Sequence, residues 1–76
     1  MKLREEVYRK RKNITDVYEW DLVQWVGDQY RCPDLGIVVN IKTGFVDKEM
    51  HGEQVMLNKP FKSGSREITY RLVEDK

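Results

Sequence analysis

Apolar and polar residues alternate with a period of two in the second half of the chain. In REITYRLV (66–73) the apolar residues Ile68, Tyr70 and Leu72 are separated by polar ones, which predicts a strand with one buried face. GIVVNIKTG (36–44) places four β-branched residues in six consecutive positions and ends on a Lys-Thr-Gly turn signal. It predicts a second strand, followed by a tight turn.

The stretch WDLVQWV (20–26) fits either a helix or a strand. In a helix, Asp21 would fall in the middle of the apolar face. In a strand, Val23 and Trp25 share one face and no charge is forced into the core. The sequence therefore favours an extended segment here.

The N-terminal segment carries a different pattern. In KLREEVYRKRKN, Leu3 and Val7 stand four residues apart, and the segment contains neither Gly nor Pro. This spacing predicts a short amphipathic helix, but the basic run from Arg9 to Lys12 repels itself and weakens a helix of about three turns. We therefore expect residues 1–19 to form a docked helix or a flexible basic arm.

The remaining segments supply turns and short strands. GDQYRCPDLG (27–36) and KPFKSGS (59–65) contain Gly and Pro and predict loops, EQVMLN (53–58) predicts a further strand, and FVDKEMHG (45–52) predicts an extension or hairpin arm. Short strands separated by such turns favour an all-β barrel, and closure would remove exposed sheet edges. We expect a small β-barrel over residues 20–76.

Size and composition set limits on the class of protein. The chain has 76 residues, of which 39% are hydrophobic and 36% charged, with a net charge of +1. These values indicate one small globular domain, and no apolar run approaches the roughly 20 residues of a membrane span. Cys32 is the single cysteine, so no internal disulfide forms, and the charged start does not resemble a secretory signal. We expect a cytoplasmic protein that does not bind membranes.

Few residues offer catalytic or metal-binding chemistry. His51 is the only histidine and stands beside Gly52, which indicates a surface turn. One Cys and one His cannot supply a structural zinc site, and no glycine-rich phosphate loop is present. We expect no enzyme activity, no metal and no cofactor.

Two segments of the sequence resemble the pattern of a known protein family at five positions. The segments DLVQWV and LGIVVNI resemble the opening of KOW-type and related Src-homology-3-like barrels, in which Gly-Asp-x-Val-x-Val is followed by a loop and Gly-x-Val-x-x-Ile. The matching positions are Asp21, Val23, Gly36, Val38 and Ile41. EQVMLN and SREITYRLVED also look like later strands of small phage-encoded barrels.

The resemblance covers residues 21–75 and implies a mainly β fold, a five-stranded Src-homology-3-like barrel to which the N-terminal helix or arm is added. It also implies an accessory or host-modulating role in a phage, in the host-cell cytoplasm. The Lys-Gly pair that approaches RNA in KOW domains is missing, and Arg31 is the only similar charge in that loop.

Recognition of a partner is therefore the expected function. The leading hypothesis is a non-enzymatic module that binds another protein through Trp20, Tyr30, Arg31 and Phe61, which lie in or beside loops. We expect Trp25 and Tyr70 in the core.

Two alternatives remain open. Nucleic acid could bind through basic residues, and self-association would enlarge a small core. The candidate basic residues are Arg9, Lys10, Arg11, Lys12, Lys59, Lys62 and Arg66.

Overall fold

The computed structural model describes residues 1–48 and 53–74, which form nine strands and no helix. The strands are β1 (Lys2–Arg9), β2 (Ile14–Asp21), β3 (Val23–Val26), β4 (Gln29–Cys32), β5 (Ile37–Asn40), β6 (Phe45–Lys48), β7 (Gln54–Met56), β8 (Phe61–Ser63) and β9 (Arg66–Val73). Because these residues contain no helix, none is long and apolar enough to cross a membrane. The mainly β fold class is confirmed.

The strands form two antiparallel sheets instead of one closed barrel. The four-stranded sheet has the order β2-β1-β9-β8, and the five-stranded sheet has the order β3-β4-β5-β6-β7. The predicted closure is wrong. Only Leu22 separates β2 from β3, and one residue is too short for a hairpin turn, so the two strands run end to end and their edges do not pair.

The predicted N-terminal helix is also wrong. Strand β1 pairs along its whole length with β2 on one side and with β9 on the other. Leu3 lies opposite both Trp20 and Leu72 and is fully buried. Residues four apart share a face in a strand as well as in a helix, and pairing with two neighbours outweighs local helix propensity.

Most strands predicted from the second half of the chain are confirmed. The extended segment after Asp21 is β3, and the patterns above correspond to β5, β7 and β9. Phe45–Lys48 of the predicted extension is β6, whereas its end at Gly52 lies outside the described residues. Two predicted loops contain strands, because β4 pairs with β5 and β8 pairs with β9.

The core lies between the two sheets. Leu3 and Tyr70 come from the four-stranded sheet, and Ile37, Val39 and Val46 from the other. The prediction that Tyr70 is buried is confirmed. The prediction for Trp25 is wrong: its side chain is 54% exposed at a bulge in β3, where Gln24 pairs with Tyr30 and Val26 with Gln29.

A polar cluster sits at the edge of this core. The indole Nε1 of Trp20 donates a hydrogen bond to Oε1 of Glu5 at 3.1 Å, and Glu5 lies opposite Tyr70 in the β1–β9 register. Burial, reinforced by the Glu5 carboxylate, raises the pKa of Tyr70 to about 12. The cluster gives Glu5 a partner on the inward face of β1, where the sequence pattern would otherwise require an apolar residue.

Replacing Leu3 by Ala tests the position of β1. Leu3 is 0% exposed, so Leu3→Ala should lower the free energy of unfolding by about 3 kcal/mol in urea denaturation. Val23→Ala is the matched control, because Val23 is 56% exposed and its truncation should cost less than about 0.5 kcal/mol. An effect of Leu3→Ala as small as that of Val23→Ala would contradict the packing of β1.

The pKa of Tyr70 predicts a loss of stability in alkali. Below pH 10 the phenol is neutral in both states, whereas between pH 10 and 12 the unfolded chain loses this proton first. The free energy of unfolding should then fall as the pH rises, by about 2 kcal/mol from this group. Tyr70→Phe should remove that part of the slope. Parallel stability curves for the wild type and Tyr70→Phe between pH 9 and 12 would show the expectation to be wrong.

Candidate functional site: the free edge of β2 and the basic end

The described residues do not assemble a cluster of side chains that could hold a metal ion. No group of three or more His, Cys, Asp or Glu side chains in this part of the chain could hold a metal ion. Cys32 is fully buried, and burial raises the pKa of its thiol, which keeps it neutral. His51 lies outside the described residues.

The four residues predicted to bind a partner protein lie apart. Trp20 is half-buried on β2, and its ring stacks on Tyr18 with 6.0 Å between centroids. Phe61 is half-buried on β8, the opposite edge of the same sheet, with its ring centroid 5.5 Å from that of Tyr70. Both aromatic rings therefore contribute mainly to packing.

The other two residues of that set lie on β4 in the five-stranded sheet. Tyr30 is half-buried and pairs with Val39. Arg31 is exposed, and its guanidinium carbon lies 5.3 Å from the centroid of the Trp25 ring, a cation–π contact. The structure therefore does not gather the four residues into one patch.

Strand β2 presents a free edge. It is the outermost strand of the four-stranded sheet, and within the described ranges no strand pairs with its other side. Its side chains Ile14, Val17 and Tyr18 are exposed despite their apolar character. Sequence analysis missed this edge because it assigned these residues to a helical or flexible arm.

The same edge is acidic. β2 contains Asp16, Glu19 and Asp21 and no basic residue. Asp16 pairs with Arg9, with 2.7 Å between Oδ2 and Nε, and Asp21 lies 3.9 Å from the ammonium of Lys2. An exposed strand that combines apolar and acidic side chains suits a ligand that is itself apolar and basic.

Two hairpin turns meet at one end of the four-stranded sheet. Arg9 lies opposite both Ile14 and Arg66, so the β1–β2 turn and the β8–β9 turn leave the sheet at the same level. Lys12 N donates to Arg9 O at 3.2 Å in the first turn, and Asn13 takes a positive φ of 52°. In the second turn Gly64 takes φ 64°, which fits the first position of a two-residue type II′ hairpin.

These turns bring most of the predicted nucleic-acid-binding residues together. A concavity of about 260 Å³ is lined by Lys10, Lys62 and Arg66 together with Tyr8 and Glu67. A second, of about 140 Å³, is lined by residues 9–12, 65 and 66. The term basic end is used below for Arg9, Lys10, Arg11, Lys12, Lys62 and Arg66.

Lys59 does not line either concavity. It lies in the β7–β8 connection, next to Asn58, whose backbone N–H donates to the backbone carbonyl of Tyr70 at 2.8 Å. Tyr70 is four residues from Arg66 along β9, a distance of about 13 Å.

The basic end concentrates positive charge. Its six cations are accompanied by two carboxylates: Asp16, bound to Arg9, and Glu67. The local charge is therefore +4, and since the whole chain carries +1, the rest carries −3. The hydrogen bond from Arg9 to Asp16 raises the pKa of Arg9, which remains charged.

Comparison with known proteins does not assign the chain to a family. No family model matches the chain, and no curated protein and no solved structure matches it significantly. The two surfaces must therefore be interpreted from their own geometry and charge.

Proposed function

We propose that the protein is a non-enzymatic docking module that binds an extended segment of another protein as an added strand on β2. One observation carries the proposal: an eight-residue edge strand exposes Ile14, Val17 and Tyr18 and has no neighbour on its outer side in the described residues. Soluble proteins usually shield such an edge, because its free N–H and C=O groups accept a further strand.

The edge offers both affinity and selectivity. About half of the residues of an antiparallel strand direct their backbone N–H and C=O groups to each side, so an added strand would bond to about four residues of β2. Side chains alternate between the two faces: Ile14 and Tyr18 contact the ligand on the inner face of the sheet, and Val17 on the outer face. Side chains on both faces of the added strand therefore contribute to selectivity.

The charge of β2 indicates a basic partner. An added strand carrying Lys or Arg among β-branched residues would place those cations beside Glu19 and Asp21, which share the outer face with Val17. A second copy of β2 would instead bring three further acidic side chains to the same edge. Like charges along a ladder destabilise pairing, which favours a different protein over self-association.

We also propose a distant kinship with Src-homology-3-like folds. What supports it is the path of the chain, in which β2 passes into β3 through Leu22 and both sheets share one core. The kinship concerns the two-sheet architecture and not a closed barrel.

A matched pair of substitutions tests docking at β2. Val17→Lys places a cation in the middle of the free edge, where it repels a basic ligand, while Val26→Lys makes the same change on β3 at a side chain that is 61% exposed. A ten-residue peptide that alternates lysine with valine or threonine should protect alternate β2 amides from hydrogen exchange. Val17→Lys should weaken its binding about tenfold, and Val26→Lys by less than about twofold.

Three outcomes would contradict this function. A peptide with glutamate in place of lysine could bind as tightly, Val26→Lys could weaken binding as much as Val17→Lys, or the peptide could bind without protecting β2 amides. Light scattering provides a further check, because a wild-type dimer whose β2 amides are protected from hydrogen exchange would identify β2 as a self-association edge.

A further inference from the structure

The basic end is built by the register of the four-stranded sheet. Arg9 is aligned with Ile14 of β2 and Arg66 of β9, and Arg66 is aligned with Ser63 of β8. All four strands therefore have one end at the same level. With about 4.8 Å between neighbouring strands, this end of the sheet is about 14 Å wide. Arg9 and Arg66 are 57 positions apart in the sequence, but the pairing of β1 with β9 places them side by side at this end of the sheet.

This arrangement suits an extended polyanion better than a single anion. Lys10, Arg11, Lys12, Lys62 and Arg66 are all exposed, and no buried donor side chain of the basic end points into the concavities to hold one phosphate. Duplex nucleic acid carries one charge per about 1.7 Å of its axis, so about 14 Å of duplex carries about eight charges on its two strands together. A ligand of that density engages several of these cations at once.

The composition of the basic end further favours a duplex over a single strand. Tyr8 is the one aromatic residue that lines the two concavities, and its hydroxyl donates to Oδ1 of Asn13 at 2.9 Å. Binding of single strands without sequence preference depends on several aromatic rings that stack on successive bases. A pair of short turns also lacks the helix or ribbon that enters a groove to read bases.

We propose that the basic end binds the phosphate backbone of duplex nucleic acid without reading its sequence. The charge of −3 on the rest of the chain is repelled by a polyanion, so the protein approaches with the basic end first. This surface adjoins the start of β2, but its residues differ from those that would contact an added strand, and its function does not depend on strand addition there. It also excludes Arg31, which lies on β4.

Two double variants with equal charge provide the test. Lys10→Ala with Lys12→Ala removes two cations of the basic end. Lys42→Ala with Lys59→Ala removes two exposed lysines, one from the β5–β6 turn and one from the β7–β8 connection. Both changes take the net charge from +1 to −1. Thermal unfolding monitored by circular dichroism should be similar for both, because all four side chains are exposed.

Binding is measured by fluorescence anisotropy of a labelled duplex of about 20 base pairs between about 50 and 200 mM KCl. The wild type should lose affinity steeply with salt. The Lys10/Lys12 variant should bind about tenfold more weakly at the lowest salt, with a log–log salt slope shallower by about 1.8. The Lys42/Lys59 variant should bind within about twofold of the wild type.

Several results would overturn the proposal. They are the absence of wild-type binding at the lowest salt, equal losses in the two double variants, tighter binding to a single strand of the same length, and equal competition by polyglutamate. The last result would indicate an acidic protein as the partner. Val17→Lys should leave duplex binding unreduced, which separates this test from that of docking at β2.

Discussion

The insertion of β1 between β2 and β9 is the interaction on which the rest of the structure depends. It joins the first strand of the described chain to the last and buries Leu3 between the two sheets. It also makes β2 the outermost strand of its sheet, with one edge free in the described residues. The same pairing aligns Arg9 with Arg66 and so brings the two basic turns together. Both proposed surfaces are consequences of where β1 lies.

The inner face of the four-stranded sheet changes character along its length. Near Leu3 it is apolar and forms half of the core, and in the middle Glu5 accepts a hydrogen bond from Trp20. Farther along the face, Arg9 and Asp16 form an ion pair with 2.7 Å between Nε and Oδ2. A sheet that buries one end and exposes the other can serve both stability and recognition, because the residues proposed to bind a polyanion are not those that hold the core together.

The predictability of each element follows from how its inward side chains are satisfied. Strand β5 was predictable because Ile37, Val38 and Val39 are all buried. Strand β1 was not, because Glu5 and Arg9 occupy inward positions and find partners in Trp20 and Asp16, contacts that no local pattern reveals. The basic residues were identified from the sequence, but their convergence depends on pairing between distant strands, and Lys59 was assigned to the cluster only through its place in a nearby loop.

The most direct test of the central claim is an NMR measurement of backbone NOEs in the first twelve residues. The account predicts cross-strand NOEs that connect β1 with both β2 and β9 along the register from Lys2 opposite Val73 to Arg9 opposite Arg66. Sequential amide–amide NOEs through Leu3 to Lys12, typical of a helix, with no contacts to β9, would contradict the fold and both surfaces derived from it.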